Sequence, residues 1–146
     1  MKLNNEFRVL EFYKNMSDSY NQGVSLNNIE EMIMNDYDAN ENTKQSFINN
    51  EYDFRLAKLA LDFLRAKVYN FEEYDELKET FFDKCIDKKE EFQNVIDDGV
   101  SIDNLETMID YDISLYRKNN ENTAIKSEKD KRINKLALSL LKKENN

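Results

Sequence analysis

Both glycines of the chain open the same motif, and proline is absent. The first copy reads Gly23-Val24-Ser25-Leu26-Asn27-Asn28-Ile29-Glu30-Glu31-Met32-Ile33; the second reads Gly99-Val100-Ser101-Ile102-Asp103-Asn104-Leu105-Glu106-Thr107-Met108-Ile109. Glycine suits the left-handed residue just past a helix C-terminus, where a Cβ would clash. The serine two residues later suits an N-cap, because its oxygen can accept an unpaired backbone N–H of the next helix. The flanking pairs Val24 with Ile29 and Val100 with Leu105 stand at staple positions, and all four are apolar. Asn28 and Asn104 occupy the third helical position in place of Glu or Gln, so the capping box is incomplete. Each motif is therefore a helix stop followed at once by a helix start. With no other strong breaker in 146 residues, the chain is confined to long helices with few tight turns.

Apolar residues recur at helical spacing between these punctuation points. A first helix is expected over 3–22, with Phe7, Leu10, Tyr13, Met16 and Tyr20. A second runs from Leu26 through Ile29, Met32, Ile33 and Tyr37 into the polar Asn40-Glu41-Asn42. Thr43 can cap a third over 44–68, with Phe47, Ile48, Tyr52, Leu56, Leu59, Phe63 and Ala66 inward. Phe71, Tyr74, Leu77, Phe81, Cys85, Phe92 and Val95 or Ile96 mark a fourth, ended by Gly99. Ile102, Leu105, Met108, Ile109, Ile113 and Tyr116 mark a fifth, and Ile133, Leu136, Leu140 and Leu141 a sixth.

The order of signals repeats. The glycine motif returns at an offset of 76, Lys58-Leu59-Ala60-Leu61 returns as Lys135-Leu136-Ala137-Leu138 at 77, and Asn40-Glu41-Asn42-Thr43 returns as Asn120-Glu121-Asn122-Thr123 at 80. The expected fold is all-α. It is a tandem duplication of a three-helix unit, residues 1–70 and 71–146, packed as one helical bundle-like domain. Two copies are too few for a solenoid, and face-to-face packing with pseudo-two-fold symmetry would bury both apolar stripes.

The charge is −9 overall and uneven. Residues 1–70 carry 8 basic and 11 acidic side chains, net −3; residues 71–112 carry 4 and 15, net −11; residues 113–146 carry 9 and 4, net +5. A middle this acidic repels nucleic acid and attracts basic partners. The candidate partner-binding residues are therefore Asp83, Asp87, Glu90, Glu91, Asp97, Asp98, Asp103, Glu106, Asp110 and Asp112, with Glu30, Glu31, Asp36 and Asp38 as their counterpart in the first half. The basic stretch Lys126, Lys129, Lys131, Arg132 and Lys135 can pair with the acidic middle, in the same molecule or in a homodimer.

Composition narrows the chemistry. Histidine is absent, which removes the commonest general base and metal ligand together. A four-helix di-metal site needs Glu-x-x-His and cannot form. Two glycines cannot build a phosphate loop. Cys85, the only thiol, has no histidine to activate it and reads as a buried structural residue in a reducing compartment. Asp36-Tyr37-Asp38-Ala39-Asn40-Glu41 begins like a calcium loop, but Glu41 stands where the turn needs glycine and Phe47 where it needs a bidentate glutamate. No metal, cofactor or catalytic site is expected. No apolar run reaches the roughly 20 residues a membrane span requires. The start, Met1 to Glu6, lacks the apolar stretch of a signal peptide, so a cytoplasmic setting is expected.

Ser19, Gly23, Val24, Ser25 and Ile29 resemble the turn of a helix-turn-helix DNA-binding motif, with Val95 replacing the small residue in the second copy. The helix that would enter the groove carries Asn27, Asn28, Glu30 and Glu31, or Asp103, Asn104 and Glu106, with no Arg or Lys to meet phosphate. The expectation is instead a non-enzymatic acidic protein that occludes a basic surface, normally nucleic-acid-binding, on a protein partner. By size and charge it is similar to phage and mobile-element counter-defence inhibitors such as anti-CRISPRs. A helix-turn-helix regulator, a carboxylate metalloenzyme and a structural or assembly protein are the alternatives.

Overall fold

A computed structural model describes residues 3–39, 48, 50–69 and 76–145. The described residues are all-α, with helices α1 (Leu3–Asn21), α2 (Leu26–Ala39), α3 (Glu51–Tyr69), α4 (Glu76–Asp97), α5 (Ile102–Arg117) and α6 (Glu128–Glu144). They form two compact units, Met1–Phe82 and Asp83–Asn146, so the boundary falls inside α4.

Both glycine motifs fold as complete stop-and-start signals. Gly23 and Gly99 have φ of +104° and +113°. Gly23 N–H donates to Tyr20 O at 3.0 Å and Val24 N–H to Ser19 O at 3.0 Å. Gly99 N–H donates to Ile96 O at 2.9 Å and Val100 N–H to Val95 O at 3.3 Å. This is the two-bond Schellman pattern, which satisfies carbonyls the ending helix would leave open. Ser25 Oγ then accepts Asn28 N–H, and Ser101 Oγ accepts Asn104 N–H, each at 3.1 Å. A third stop uses Asn119 at φ +58° in place of glycine, with Asn119 N–H to Tyr116 O and Asn120 N–H to Leu115 O.

The third helix starts later than the apolar spacing predicts. Asn50 Oδ1 accepts Asp53 N–H at 2.8 Å, which fixes the start at Glu51. Ile48 lies outside the helix and is buried, its N–H held at 3.0 Å by Asp36 Oδ2. Thr43 and Phe47, the expected cap and first inward residue, lie outside the described residues, as do Phe71 and Tyr74 of the fourth helix. In the second unit Ile125 is likewise buried outside a helix, and Ser127 caps α6 by accepting Asp130 N–H. Ile48, Asn50 and Asp53 thus correspond to Ile125, Ser127 and Asp130 at the 77-residue offset of the Lys-Leu-Ala-Leu segments.

In the first unit α1 packs chiefly on α3, and α2 closes over both. Ala57 and Ala60 of α3 are fully buried and lack bulk, which lets the large α1 side chains Leu10, Phe12 and Tyr13 reach the core. Phe82 completes it, its ring centroid 5.6 Å from Tyr13 and 5.4 Å from Phe63. In the second unit Phe92, Leu105, Ile109, Ile113, Ile125, Ala137, Leu138 and Leu141 form one cluster. Four residues placed on the inward stripes by spacing are in fact open to solvent: Tyr20 at 37%, Met32 at 57%, Tyr52 at 51% and Met108 at 56% exposed. Met32 and Met108 lie at the flanks of their helices, and Ile29, Ile33, Leu105 and Ile109 occupy the buried stripe instead.

Candidate functional site

The acidic surface is built most completely on α4. Phe81, Phe82, Cys85, Lys89 and Phe92 fall on one stripe and are buried. At 3.6 residues per turn, Asp83, Asp87, Glu90, Glu91, Asp97 and Asp98 fall on the opposite side. All of these carboxylates but the half-buried Asp83 are exposed. Asp97 stands in the last turn of the helix, which holds no basic residue, and Asp98 immediately follows it. Negative charge there opposes the helix dipole, whose C-terminal end is already negative.

The other candidates have different surroundings. On α5, Asp103 and Asp110 are exposed and Asp112 is half-buried. Asp112 contributes its backbone: its carbonyl accepts the Thr123 hydroxyl at 2.7 Å, and Thr123 Oγ1 accepts Ile125 N–H at 3.1 Å. Glu106 is tied to α6 through Lys142 Nζ at 2.5 Å. Glu30 makes the corresponding pair in the first unit, with Arg65 of α3. Glu31 and Asp38 are exposed on α2, and Asp36 holds Ile48. The fourteen residues therefore divide by unit, with Glu30, Glu31, Asp36 and Asp38 in the first and the other ten in the second. Within the second unit Glu90 pairs with Lys89 at 2.6 Å, Glu91 with Lys88 at 2.9 Å, and Asp97 accepts from Gln93 at 3.0 Å. Asp87, Asp98, Asp103 and Asp110 make no side-chain ion pair among the described residues.

At least two of the five residues of the basic stretch have local partners. Lys131 faces Glu128 of its own helix at 3.8 Å, and Lys126 Nζ donates to Glu121 O at 3.1 Å. The link between tail and acidic middle is made through Lys142, Lys89 and Glu144, which the sequence did not single out. Besides Lys142 with Glu106, the buried Lys89 binds Glu144 at 2.7 Å. Burial pushes the Lys89 ammonium toward a lower pKa, but hydrogen bonds and charge from Glu144 and Glu90 outweigh it and hold the pKa above its ordinary value.

A second feature missed by the sequence is an open apolar groove of 510 Å³ in the first unit, lined by Phe12, Met16, Ile29, Met32, Ile33 and Ile48. Its signal lay in Met32, which reads as core by spacing but is exposed. The α1–α2 stop-and-start has the connectivity of a helix-turn-helix. The exposed residues of α2 are Asn27, Asn28, Glu31, Met32, Met34, Asn35 and Asp38, none of them basic. Among the described residues, no three thiol or carboxylate side chains converge as metal ligands would. None of the helices is long and apolar enough, over the described residues, to cross a membrane.

Fold and surface together define an all-α protein with a carboxylate-rich face. Comparison with protein-family models, with curated proteins and with solved structures gives no match.

Proposed function

We propose that this is a non-enzymatic binding protein whose α4–α5 carboxylates cover a basic surface on a partner protein. The single observation that carries this reading is the placement of the acids on α4. Asp83, Asp87, Glu90, Glu91, Asp97 and Asp98 share the face away from the core, and the last two stand where helix electrostatics disfavour them. A face kept acidic only for solubility has no need to oppose a helix dipole. A partner surface rich in Lys and Arg gains from each of these charges, in encounter rate above all. Where that surface normally holds DNA or RNA, the protein acts by occlusion, as a nucleic-acid mimic in the manner of counter-defence inhibitors. The chain is then two copies of one three-helix unit, the second having gained the charge. The matching stops, caps and Glu30–Arg65 and Glu106–Lys142 pairs support that history.

The test is affinity capture from a host lysate with wild type and with a variant carrying Glu90→Lys, Glu91→Lys, Asp97→Lys and Asp98→Lys. The expected result is a nucleic-acid-processing protein captured at low salt, released at high salt or by added DNA or RNA, and lost in the variant. Capture of DNA itself would favour the regulator. Capture that ignores the four reversals would overturn the acidic-face reading.

A further inference from the structure

We propose that the outward face of α5 docks a basic amphipathic helix of a partner protein, with Met108 and Tyr111 as its apolar centre and Asp103 and Asp110 as its charged edge. The inference rests on the acidic-face reading and specifies the chemistry of what that face receives.

α5 buries Leu105, Ile109 and Ile113, and these satisfy its amphipathic requirement. Met108 and Tyr111 nevertheless stand 56% and 64% exposed, three residues apart and so adjacent on the helix surface. The half-buried Leu115, four residues further on, extends them into an apolar band about two turns long. An isolated exposed apolar side chain needs no explanation. Two large ones side by side on a helix that already has a core stripe are not required by the fold. Tyr and Met are also the residue types that interfaces favour: Tyr offers rigid area, and Met offers a flexible, polarisable surface that adapts to its partner.

Charge selects the occupant. Asp103 and Asp110 lie two turns apart along one edge of the band, both exposed and without a side-chain ion pair among the described residues. Cations on α5 are confined to its C-terminal end, at Arg117, followed by Lys118. The complement is an apolar stripe with Lys or Arg along one edge, which is the surface of a basic amphipathic helix. Nucleic acid is excluded by the same carboxylates. The first unit serves as an internal comparison. At the 76-residue offset, α2 keeps Met32 but has Asn27, Met34 and Asn35 where α5 has Asp103, Asp110 and Tyr111. Of these two helices, α5 alone combines the apolar band with an acidic edge.

The experiment titrates the full chain by calorimetry with two synthetic peptides of equal length and positive charge: a helical leucine–lysine amphipath and an oligolysine. At physiological salt the amphipath should bind about tenfold or more tighter than the oligolysine, as expected for a site with hot-spot anchors. Met108→Ala with Tyr111→Ala should erase that preference, and Met32→Ala with Asn35→Ala should leave it intact. Circular dichroism checks that each variant folds. Equal binding of the two peptides, or a preference that survives the Met108/Tyr111 variant, overturns the inference. If equal binding is lost on reversing Glu90 and Glu91, the acidic-face reading stands while the docking helix falls. If neither peptide binds, both fall.

Discussion

Gly23 and Gly99 occupy a backbone region that L side chains avoid, yet a Cβ at either would meet nothing within 4 Å. Replacement therefore strains the backbone without a packing clash. Gly23→Ala and Gly99→Ala should each destabilise by about 1–2 kcal/mol, by nearly equal amounts, with an unchanged denaturant slope. Urea midpoints check this, and an alanine variant as stable as wild type would show that the turn does not need glycine. Lys89 makes a second residue-scale prediction through pH. Its pKa is raised in the folded state, so its contribution is fully present below the unfolded value of about 10.4 and is lost as pH rises through the folded value. Thermal midpoints of wild type and Lys89→Met should keep a constant gap from neutral pH to about 10, and the gap should move against wild type above that. A gap independent of pH would remove Lys89 from the account. The glycines were legible in the sequence because backbone geometry leaves them few roles. Lys89 was not, since its partners are one residue and fifty-five residues away, and spacing on one helix cannot reveal the second.

The helices show where periodicity suffices and where capping decides. The bounds of α1, α2 and α5 fall close to those the apolar spacing predicts, because glycine or polar residues punctuate them. α3 was misread at its N-terminus because Phe47 and Ile48 continue the helical spacing and Thr43 is itself a good cap. Asn50 takes the cap, and Ile48 is buried ahead of the helix with its N–H held by Asp36. The same device recurs before α6, where Thr123 bridges Asp112 O and Ile125 N–H and Ser127 caps. Asn50→Ala and Ser127→Ala should each cost about 1 kcal/mol, measured by chemical denaturation, whereas Ser127→Asp, which can still accept the Asp130 N–H, should keep most of the wild-type stability. A Ser127→Ala variant as stable as wild type would show that the packing of Ile125 alone sets the start of α6. By contrast the cross-helix pairs Glu30–Arg65 and Glu106–Lys142 are partly exposed at both ends. Each should contribute no more than about 1 kcal/mol in a double-mutant cycle.

At the scale of the whole molecule, a net charge of −9, with residues 71–112 alone at −11, works against compaction. The sequence displayed that concentration directly, but it could not tell which acids the fold uses. Glu30, Glu106 and Asp36 hold their own units together, while Asp87, Asp98 and Asp110 make no side-chain ion pair among the described residues. The apolar band of Met108 and Tyr111 escaped notice for a related reason: apolar residues near helical spacing read as core until three dimensions decide which flank is covered. Acids that serve a partner and not the fold should be replaceable with a gain in stability, since function and stability then compete. Asp87→Asn, Asp98→Asn and Asp110→Asn together should raise the thermal midpoint at low ionic strength, with Asp98→Asn giving the largest single gain because it also relieves the helix dipole. Salt screens like-charge repulsion between exposed groups, so the gain should shrink steadily as ionic strength rises and be largely gone at about 1 M, where the Debye length has fallen to about 3 Å. The same triple variant should lose affinity for the leucine–lysine amphipath. A variant that is destabilised at low salt would mean that these carboxylates support the fold after all, and the separation between structural and partner-facing acids would fail.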